Sequence, residues 1–198
     1  MAKALSIVII LLALLGGVYF YLNNKPAETE VVTTVEDSTQ NDAHVSKKQK
    51  HKPGKRLPPI DSIAIHKSER EMLVFNHGSL VKTYSVSLGP TPEGDKEYEG
   101  DGKTPEGWYY INGKNANSLY HKNLGVSYPN AEDIAHATAI GKHTGGDIKI
   151  HGLPQGYEGF RRKFLAKDWT AGCIAVSNKE IDELYDAVKV GTPLLITP

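Results

Sequence analysis

The chemistry available to this chain centres on a single cysteine and a histidine that stands upstream of it. Cys173 is the only cysteine, follows a glycine, and opens a short apolar alternation that runs to Val176. His151 closes another alternating run, which begins at Asp147. A thiolate and an imidazole base are the parts that nucleophilic catalysis needs. The competing interpretation is structural, because a free cysteine is often a small buried hydrophobe and a strand-end histidine is often a satisfied polar residue.

Both residues belong to predicted strands, and the alternation of side chains decides which face they occupy. Successive side chains of a strand point to opposite faces. Ile148 and Ile150 are therefore predicted to point into the core, while His151 points away from it. By the same rule, Cys173 is predicted to lie opposite Ile174. The two reactive side chains thus both face away from the buried isoleucines.

Length and composition favour one strand-rich domain and exclude several classes of protein. The chain has 198 residues, enough for a sizeable core. Its 23 basic and 23 acidic side chains give zero net charge, which argues against a nucleic-acid-binding protein. The many glycines and prolines mostly punctuate short apolar runs, as turns do between strands. A lone cysteine excludes an intrachain disulfide.

The N-terminal segment predicts a membrane anchor. Residues 4–22 form an apolar run without a charge, and a helix of this length roughly spans a bilayer core. The alternative is a cleaved signal peptide, but the run is longer than a usual apolar signal region and no small-x-small site follows it before Asn23. Tyr19 and Tyr21 suit an interfacial belt. We expect a single-pass anchor in the inner (cytoplasmic) membrane that leaves the rest of the chain in the periplasm.

Residues 23–58 are predicted to be a flexible charged tether between this anchor (residues 1–22) and a domain at 59–198. The segment shows no hydrophobic period, so it cannot bury enough apolar surface to offset its ordering entropy. Its basic second half is interpreted as a solvated linker, with attraction to an anionic envelope polymer as the alternative.

Export of the chain also bears on Cys173. In an oxidising compartment an unpaired thiol is a liability unless it is buried or used, which favours a catalytic function of Cys173.

Strand signals dominate residues 59–198. Residues 60–88 are predicted to form an antiparallel meander with a hairpin turn at 76–79, followed by a loop at 89–107. A strand is predicted at 108–111, a turn at 112–117 and a final strand at 194–196.

Two helices are predicted between these strands. One spans residues 131–140, capped by Asn130, with Ile134, Ala137 and Ile140 on one face. The other begins with a capping box of Ser177 and Glu180. Its apolar stripe comprises Ile181, Leu184, Tyr185 and Val188.

At the reactive residues the sequence resembles the L,D-transpeptidase (YkuD) catalytic domain family. That family carries a His-Gly pair, a loop, and then Ser/Thr-His-Gly-Cys near an apolar strand. His151-Gly152 and Thr170-Ala171-Gly172-Cys173 match this pattern, and Thr104-Pro105-Glu106-Gly107 is similar to the family's Thr-Pro-x-Gly turn. The run from Gly172 to Ser177, Gly-Cys-Ile-Ala-Val-Ser, resembles an envelope subgroup. The resemblance covers about residues 59–198.

The resemblance implies a mostly β (α+β) fold of mixed sheets and short helices, and an enzyme that acts on peptidoglycan. It implies that Cys173 attacks a stem tetrapeptide, the acyl donor, after His151 takes the thiol proton or holds it in a preformed ion pair. Thr170 or the carbonyl of Gly152 would orient the imidazole. The backbone N–H groups of Gly172 and Cys173 are the expected oxyanion donors, because a glycine turn lets the main chain approach closely.

Further residues are candidates for contact with substrate. Tyr128, Trp169 and Gly152 are the candidates for contact with substrate, and the two aromatic residues are equally well explained by packing. Lys149 shares a face with His151 and is interpreted as solvated, with contact to a stem carboxylate as the alternative. No metal and no organic cofactor is implied, since the spacing of the histidines with Cys173 fits no compact zinc pattern.

Two departures from the family pattern bear on substrate choice. Ala171 stands where many members carry histidine, and Ala175 stands where many carry arginine or asparagine. The Cys-His pair is intact, so the reaction is better supported than the specificity. Transfer to an amine would cross-link the wall or attach a protein to it, and transfer to water would make a hydrolase. The remaining alternative is a wall-binding module without activity.

Overall fold

A computed structural model describes residues 56–198, which form eight strands and three short α-helices. The predicted anchor at residues 4–22 lies outside the described residues, and so does most of the predicted tether. Within residues 56–198 no helix is both long and apolar enough to cross a bilayer. The elements are β1 Ser62–His66, β2 Glu71–Asn76, β3 Ser79–Ser85, β4 Gly107–Ser118, β5 His121–Val126, α1 Ala131–Ala139, β6 Lys149–His151, α2 Arg161–Leu165, β7 Ile174–Ala175, α3 Asn178–Ala187 and β8 Pro193–Thr197.

The eight strands form one curled sheet in the order β3-β2-β1-β8-β4-β5-β6-β7. The pairs β1–β8 and β6–β7 are parallel, and the remaining pairs are antiparallel. Ser87, just beyond β3, bridges Ala175 in β7 through backbone hydrogen bonds of 2.9 and 2.8 Å. This bridge joins the two ends of the sheet. The mostly β fold with mixed pairing and short helices is therefore confirmed.

The core fills the inside of the curl with side chains that alternate along the strands. In β8 the second and fourth residues are buried and their neighbours are half-buried, as a one-sided strand requires. The carboxyl-terminal helix α3 packs the same interior and begins at the predicted capping box of Ser177 and Glu180. Fully buried side chains include Leu88, Ile111, Leu124, Ile150, Ile174, Ile181 and Leu184.

The predicted meander is confirmed at the start of the domain. β1, β2 and β3 pair antiparallel in sequence order. His77 and Gly78, between β2 and β3, have φ values of 49° and 73°. Positive φ at both central residues is the backbone that a two-residue hairpin turn needs to match the twist of its strands.

The predicted turn at residues 112–117 is wrong, because β4 continues to Ser118. Asparagine and glycine are poor strand formers, and the sequence there is rich in both. The strand persists because its backbone pairs with β5, where Lys114 lies opposite Leu124 and Asn115 opposite Asn123. Tertiary pairing overrides local propensity, and it carries the end of β4 to the candidate site.

The first helix, α1, ends one residue earlier than predicted and buries only Ala137 of the three residues on its predicted apolar face. The Asn130 side chain caps it by accepting the N–H groups of Glu132 and Asp133 at 2.7 and 3.0 Å. Ile134 and Ile140, predicted to face the core, are 50% and 45% exposed. The buried face is instead the one that carries Asp133, whose carboxylate accepts a hydrogen bond from the hydroxyl of Tyr109, a core residue of β4. This polar contact accompanies the helix orientation that leaves both isoleucines in solvent.

Candidate active site

Cys173 and His151 lie in the same cleft because their strands are neighbours. β6 and β7 run parallel, with Ile150 opposite Ile174 and His151 opposite Ala175. This register places Cys173 beside the first residue of β6, on the face that His151 also occupies. Both side chains line a cleft of about 580 Å³. Two residues separated along the chain are thus brought together by the sheet.

The imidazole of His151 is held in one orientation and one tautomer. Its Nδ1 lies 2.7 Å from the carbonyl oxygen of Gly152. A carbonyl only accepts, so Nδ1 carries the hydrogen, and in the neutral ring Nε2 keeps its lone pair. The rings of Tyr120 and Trp169 pack against the imidazole, with centroids 4.6 and 5.7 Å away. The result is an oriented base with Nε2 unprotonated.

Burial keeps this imidazole neutral. His151 is 4% exposed. Burial lowers its pKa, the hydrogen bond to Gly152 acts in the opposite direction, and the charge of Lys149 lowers the pKa further. Because the net direction is downward, the ring is a neutral proton acceptor at neutral pH.

The thiol of Cys173 is half-buried and protonated at rest. It lies 3.6 Å from the carbonyl oxygen of Asp147, to which it donates. Burial raises the pKa of the thiol, and this effect outweighs the opposing backbone N–H and charge of Lys149. A raised thiol pKa beside a lowered imidazole pKa describes a neutral pair. Of the two activation routes that the sequence left open, these directions favour proton transfer to His151 over a preformed ion pair.

Thr170 shapes the turn that presents the thiol. Its hydroxyl donates to the carbonyl of Cys173 at 2.7 Å and accepts the N–H of Gly172 at 3.2 Å. The Thr170 hydroxyl thus bonds within the turn, while the Nδ1 atom of His151 donates to Gly152. Gly152, and not Thr170, therefore orients the imidazole. The N–H of Cys173, by contrast, has no acceptor among residues 56–198.

The segment before this turn is fixed to the strand end after β3. The Leu88 carbonyl accepts the N–H groups of both Trp169 and Thr170 at 3.0 Å. The Leu88 N–H donates to the Asp168 carboxylate at 2.8 Å, and Arg70 donates to the same carboxylate at 2.8 and 3.0 Å. Cys173 therefore sits on a turn that is tied to the core at several points.

Gly172 occupies a position that the structure reserves for glycine. Its φ is +118°, and a Cβ there would lie 2.6 Å from the carbonyl oxygen of Lys103. We expect Gly172→Ala to lose about 1–3 kcal/mol of unfolding free energy, through backbone strain and this clash. Urea unfolding measures the loss. Gly113→Ala is the control, because a Cβ at Gly113 meets no atom within 4 Å and its φ is not positive. Equal stability of the two variants would contradict the prediction.

The residues predicted to contact substrate separate into two groups. Trp169 lines the cleft and packs against His151. Tyr128 lies away from it, because its ring is buried, packs edge-on against Tyr109 and donates to the carbonyl of Thr144. Gly152 is buried as well, and its N–H donates to backbone carbonyls. Its contribution at the site is the carbonyl that holds the imidazole.

Several cleft residues were not predicted. Tyr120 packs against His151 from the turn between β4 and β5. No local pattern indicates this turn, because the residues before it, 112–117, are themselves predicted to be a turn. Asn115, Asn117 and Asn123 line the cleft from the ends of the same two strands. Among the described residues, no three histidine, cysteine or carboxylate side chains converge as metal ligands would.

Comparison with known proteins agrees with this fold. The family model for the L,D-transpeptidase catalytic domain, YkuD, matches residues 60–196. YafK of Escherichia coli K12, provisionally named an L,D-transpeptidase, is 33% identical over 107 residues, which are 53% of this chain and 34% of YafK. YqjB of Bacillus subtilis 168, named in the same provisional way, is 28% identical over 142 residues, 71% of this chain and 73% of YqjB.

Among solved structures, Pgp2 of Campylobacter jejuni, described as a helical cell shape determining protein, is similar with a TM-score of 0.50 and 26% identity. The similarity covers 71% of this chain and 50% of Pgp2. The chain thus spans about a third of YafK and half of Pgp2. With the family model matched across almost all of the described domain, this chain belongs to the YkuD family of L,D-transpeptidase catalytic domains.

Proposed function

We propose that this protein is a cysteine acyltransferase that acts on peptidoglycan stem peptides. The observation that carries the proposal is the pairing, in one cleft, of the Cys173 thiol with a His151 ring whose Nδ1 is occupied by Gly152. That tautomer leaves Nε2 as the nitrogen that can accept the thiol proton. Membership of the L,D-transpeptidase family supports peptidoglycan as the substrate.

In the proposed reaction His151 takes the proton from Cys173 as the sulfur attacks the amide carbonyl of the third stem residue, a diamino acid. A sulfur–carbon bond forms, and the carbonyl oxygen becomes an oxyanion. When the carbon–nitrogen bond breaks, the protonated imidazole gives its proton to the departing amine of the terminal D-alanine. The product is a thioester on Cys173, and an amine or water then releases the acyl group.

The proposed oxyanion donor is the N–H of Cys173. It is unpaired among the described residues, whereas the N–H of Gly172 already donates to Thr170 at 3.2 Å. Gly172 would serve as a second donor only after leaving the Thr170 hydroxyl. One well-placed donor is typically worth about 3–4 kcal/mol of barrier.

The acceptor decides between transfer and hydrolysis, since both outcomes share the thioester. An amine acceptor gives a cross-link of the 3-3 type or attaches a protein to the wall. Water gives an L,D-carboxypeptidase or endopeptidase. Pgp2 is described as determining helical cell shape, and we extend to this chain a function in remodelling the wall.

The test is to incubate the purified protein with a disaccharide-tetrapeptide or a carbapenem and to measure its intact mass. The expected result is an acyl adduct that peptide mapping places on Cys173. Masses of the released products then sort the outcomes, with dimers indicating transfer and tripeptides indicating hydrolysis. No adduct and no product, with peptidoglycan binding retained, would instead identify a wall-binding module without activity.

We also propose that residues 4–22 anchor the protein in the inner membrane, with the catalytic domain in the periplasm. The support is the uncharged apolar run itself. Fractionation of cells that produce the full chain tests this. We expect the protein in the membrane fraction, with its domain accessible to protease after the outer permeability barrier is opened. Recovery of a shortened soluble form would show cleavage instead.

The pH dependence of thiol reactivity tests the neutral pair. Because burial raises the pKa of Cys173, the thiolate fraction is small at neutral pH. Alkylation by iodoacetamide should therefore rise about tenfold per pH unit from about pH 6 to about pH 9. A preformed ion pair would instead give a plateau, because its thiol would already be ionised. Free cysteine, measured in the same buffers, is the reference.

A further inference from the structure

The catalytic cleft contains one pair of opposite charges close to the thiol. Lys149 and Asp147 line the cleft, and their Nζ and Oδ2 atoms lie 2.9 Å apart. The other polar side chains among the described cleft-lining residues are asparagines, hydroxyl groups, the indole of Trp169, the thiol of Cys173 and the neutral His151. Lys149 is therefore the one lysine or arginine among these cleft-lining residues.

Lys149 is near both reacting groups. Continuing the register of β6 and β7 by one residue puts it opposite Cys173, at the usual spacing of about 4.8 Å between strands, and its backbone N–H contacts the Cys173 thiol. Its charge acts on the thiol of Cys173 and on the imidazole of His151 alike. A lysine stem of four carbons lets the ammonium move through the space in front of the sulfur.

Asp147 holds this ammonium loosely. Its side chain is 87% exposed, against 32% for Lys149. Its backbone is left-handed, with φ of 62°, a conformation that non-glycine residues adopt rarely. Within residues 56–198 its carboxylate makes no hydrogen bond or ion pair apart from the one to Lys149. An exposed pair of this kind contributes little, so another carboxylate can take its place.

We propose that Lys149 binds a free carboxylate of the substrate, the one on the residue that departs, and that Asp147 stands in for it in the empty cleft. The inference rests on the proposed function for its choice of peptide. In a stem tetrapeptide, the carboxylate of the departing residue is two bonds beyond the nitrogen of the scissile amide. A group bonded so close to the amide must lie near the sulfur when the carbonyl is attacked, which is where Lys149 is.

Consequently, Lys149 selects a stem that ends at the departing residue. A longer stem, or one amidated at its end, offers no charge at this point and leaves the ammonium paired with Asp147. A charge-assisted hydrogen bond to a carboxylate accounts for about tenfold to a hundredfold in affinity.

The first experiment needs no wall substrate. Iodoacetate and iodoacetamide alkylate the same thiol by the same displacement of iodide, and they differ in that iodoacetate carries a carboxylate. We expect the rate ratio of iodoacetate to iodoacetamide at Cys173, relative to free cysteine, to fall at least about tenfold in Lys149→Met. A change in thiol pKa cancels from this ratio, because it affects both reagents. Lys149→Arg should keep the preference, and Asp147→Asn should raise it by removing the competing carboxylate.

Lys122→Met is the matched control. Lys122 is a partly buried lysine of neighbouring β5, but its ammonium lies 2.8 Å from Asp182 and over the ring of Tyr185, not in the cleft. The ratio of iodoacetate to iodoacetamide rates in Lys122→Met should equal that of the unaltered protein. The iodoacetamide rate and a thermal melt confirm that each variant is folded. An unchanged ratio in Lys149→Met would overturn the proposal.

The second experiment identifies the carboxylate. Acylation of Cys173 is compared for a tetrapeptide acid, for the same peptide amidated at the departing residue, and for peptides amidated at the internal carboxyl groups. In the unaltered protein, amidation of the departing residue should slow acylation of Cys173. The loss should be about as large as the one that Lys149→Met causes with the tetrapeptide acid. Amidation of the internal carboxyl groups should slow acylation little. If it slowed acylation more than amidation of the departing residue does, the assignment to the departing residue would be overturned. If no peptide acylates Cys173 while the iodoacetate preference holds, the proposed function fails and the anion site stands.

Discussion

Replacing Cys173 with serine is expected to abolish the acyl adduct and to slow substrate turnover by about a thousandfold or more. A hydroxyl ionises at a far higher pH than a thiol. Burial already raises the pKa of the Cys173 thiol, and the neutral His151 takes a proton from a serine hydroxyl in its place less readily still. Serine is close in size to cysteine, so the turn held by Thr170 should persist. Intact-mass spectrometry after exposure to a disaccharide-tetrapeptide, together with product analysis, gives the measurement.

The control for Cys173→Ser is the unaltered fold. Since the thiol makes only weak contacts, donating to the Asp147 carbonyl at 3.6 Å and accepting from the backbone N–H of Lys149, the melting temperature of the variant should change little. A variant that keeps full effect on the cell wall would contradict the enzyme and favour a binding module. An adduct that persists in the variant would place the nucleophile elsewhere.

His151→Gln is expected to slow acylation of Cys173 by about a hundredfold to ten-thousandfold. Glutamine can still donate to the Gly152 carbonyl, which accepts from Nδ1 at 2.7 Å, but it has no basic nitrogen to receive the thiol proton. The residual rate should depend on thiolate formed by solvent, and so should keep rising with pH. Adduct formation followed at timed intervals across a pH series measures both the acylation rate and its dependence on pH.

The comparison for His151→Gln is His136→Gln. His136 is exposed on α1 and does not line the catalytic cleft. Its replacement should leave acylation unchanged. A loss of less than about tenfold in His151→Gln would indicate that solvent, not the imidazole, removes the proton. The unaltered protein should then also show no fall in acylation rate at acid pH from protonation of His151.

Features that depend on neighbouring residues could be read from the sequence. The capping box of Ser177 and Glu180 and the hairpin at His77 and Gly78 each involve groups within a few positions of one another. The alternation that separates His151 from the buried isoleucines is likewise local. For this reason the sequence predicted a strand-rich domain and identified the two reactive side chains.

Features that depend on distant segments could not be read in this way. Asn115 belongs to a strand because β5 pairs with it, and Ile134 is exposed because Asp133 bonds to Tyr109 instead. Their own sequence windows indicated the opposite. Local propensity is worth tenths of a kcal/mol per residue, and a tertiary contact outweighs it.

The sequence by itself determined which sulfur, which imidazole and which family this chain has. The tertiary structure decided how they are used, through the Gly152 carbonyl that fixes the tautomer of His151 and the burial that keeps the pair neutral. It also placed Lys149 in the same cleft as Cys173. The physical reason is that burial, strand register and the field of a charge arise from segments far apart in the chain, which meet only when the sheet curls.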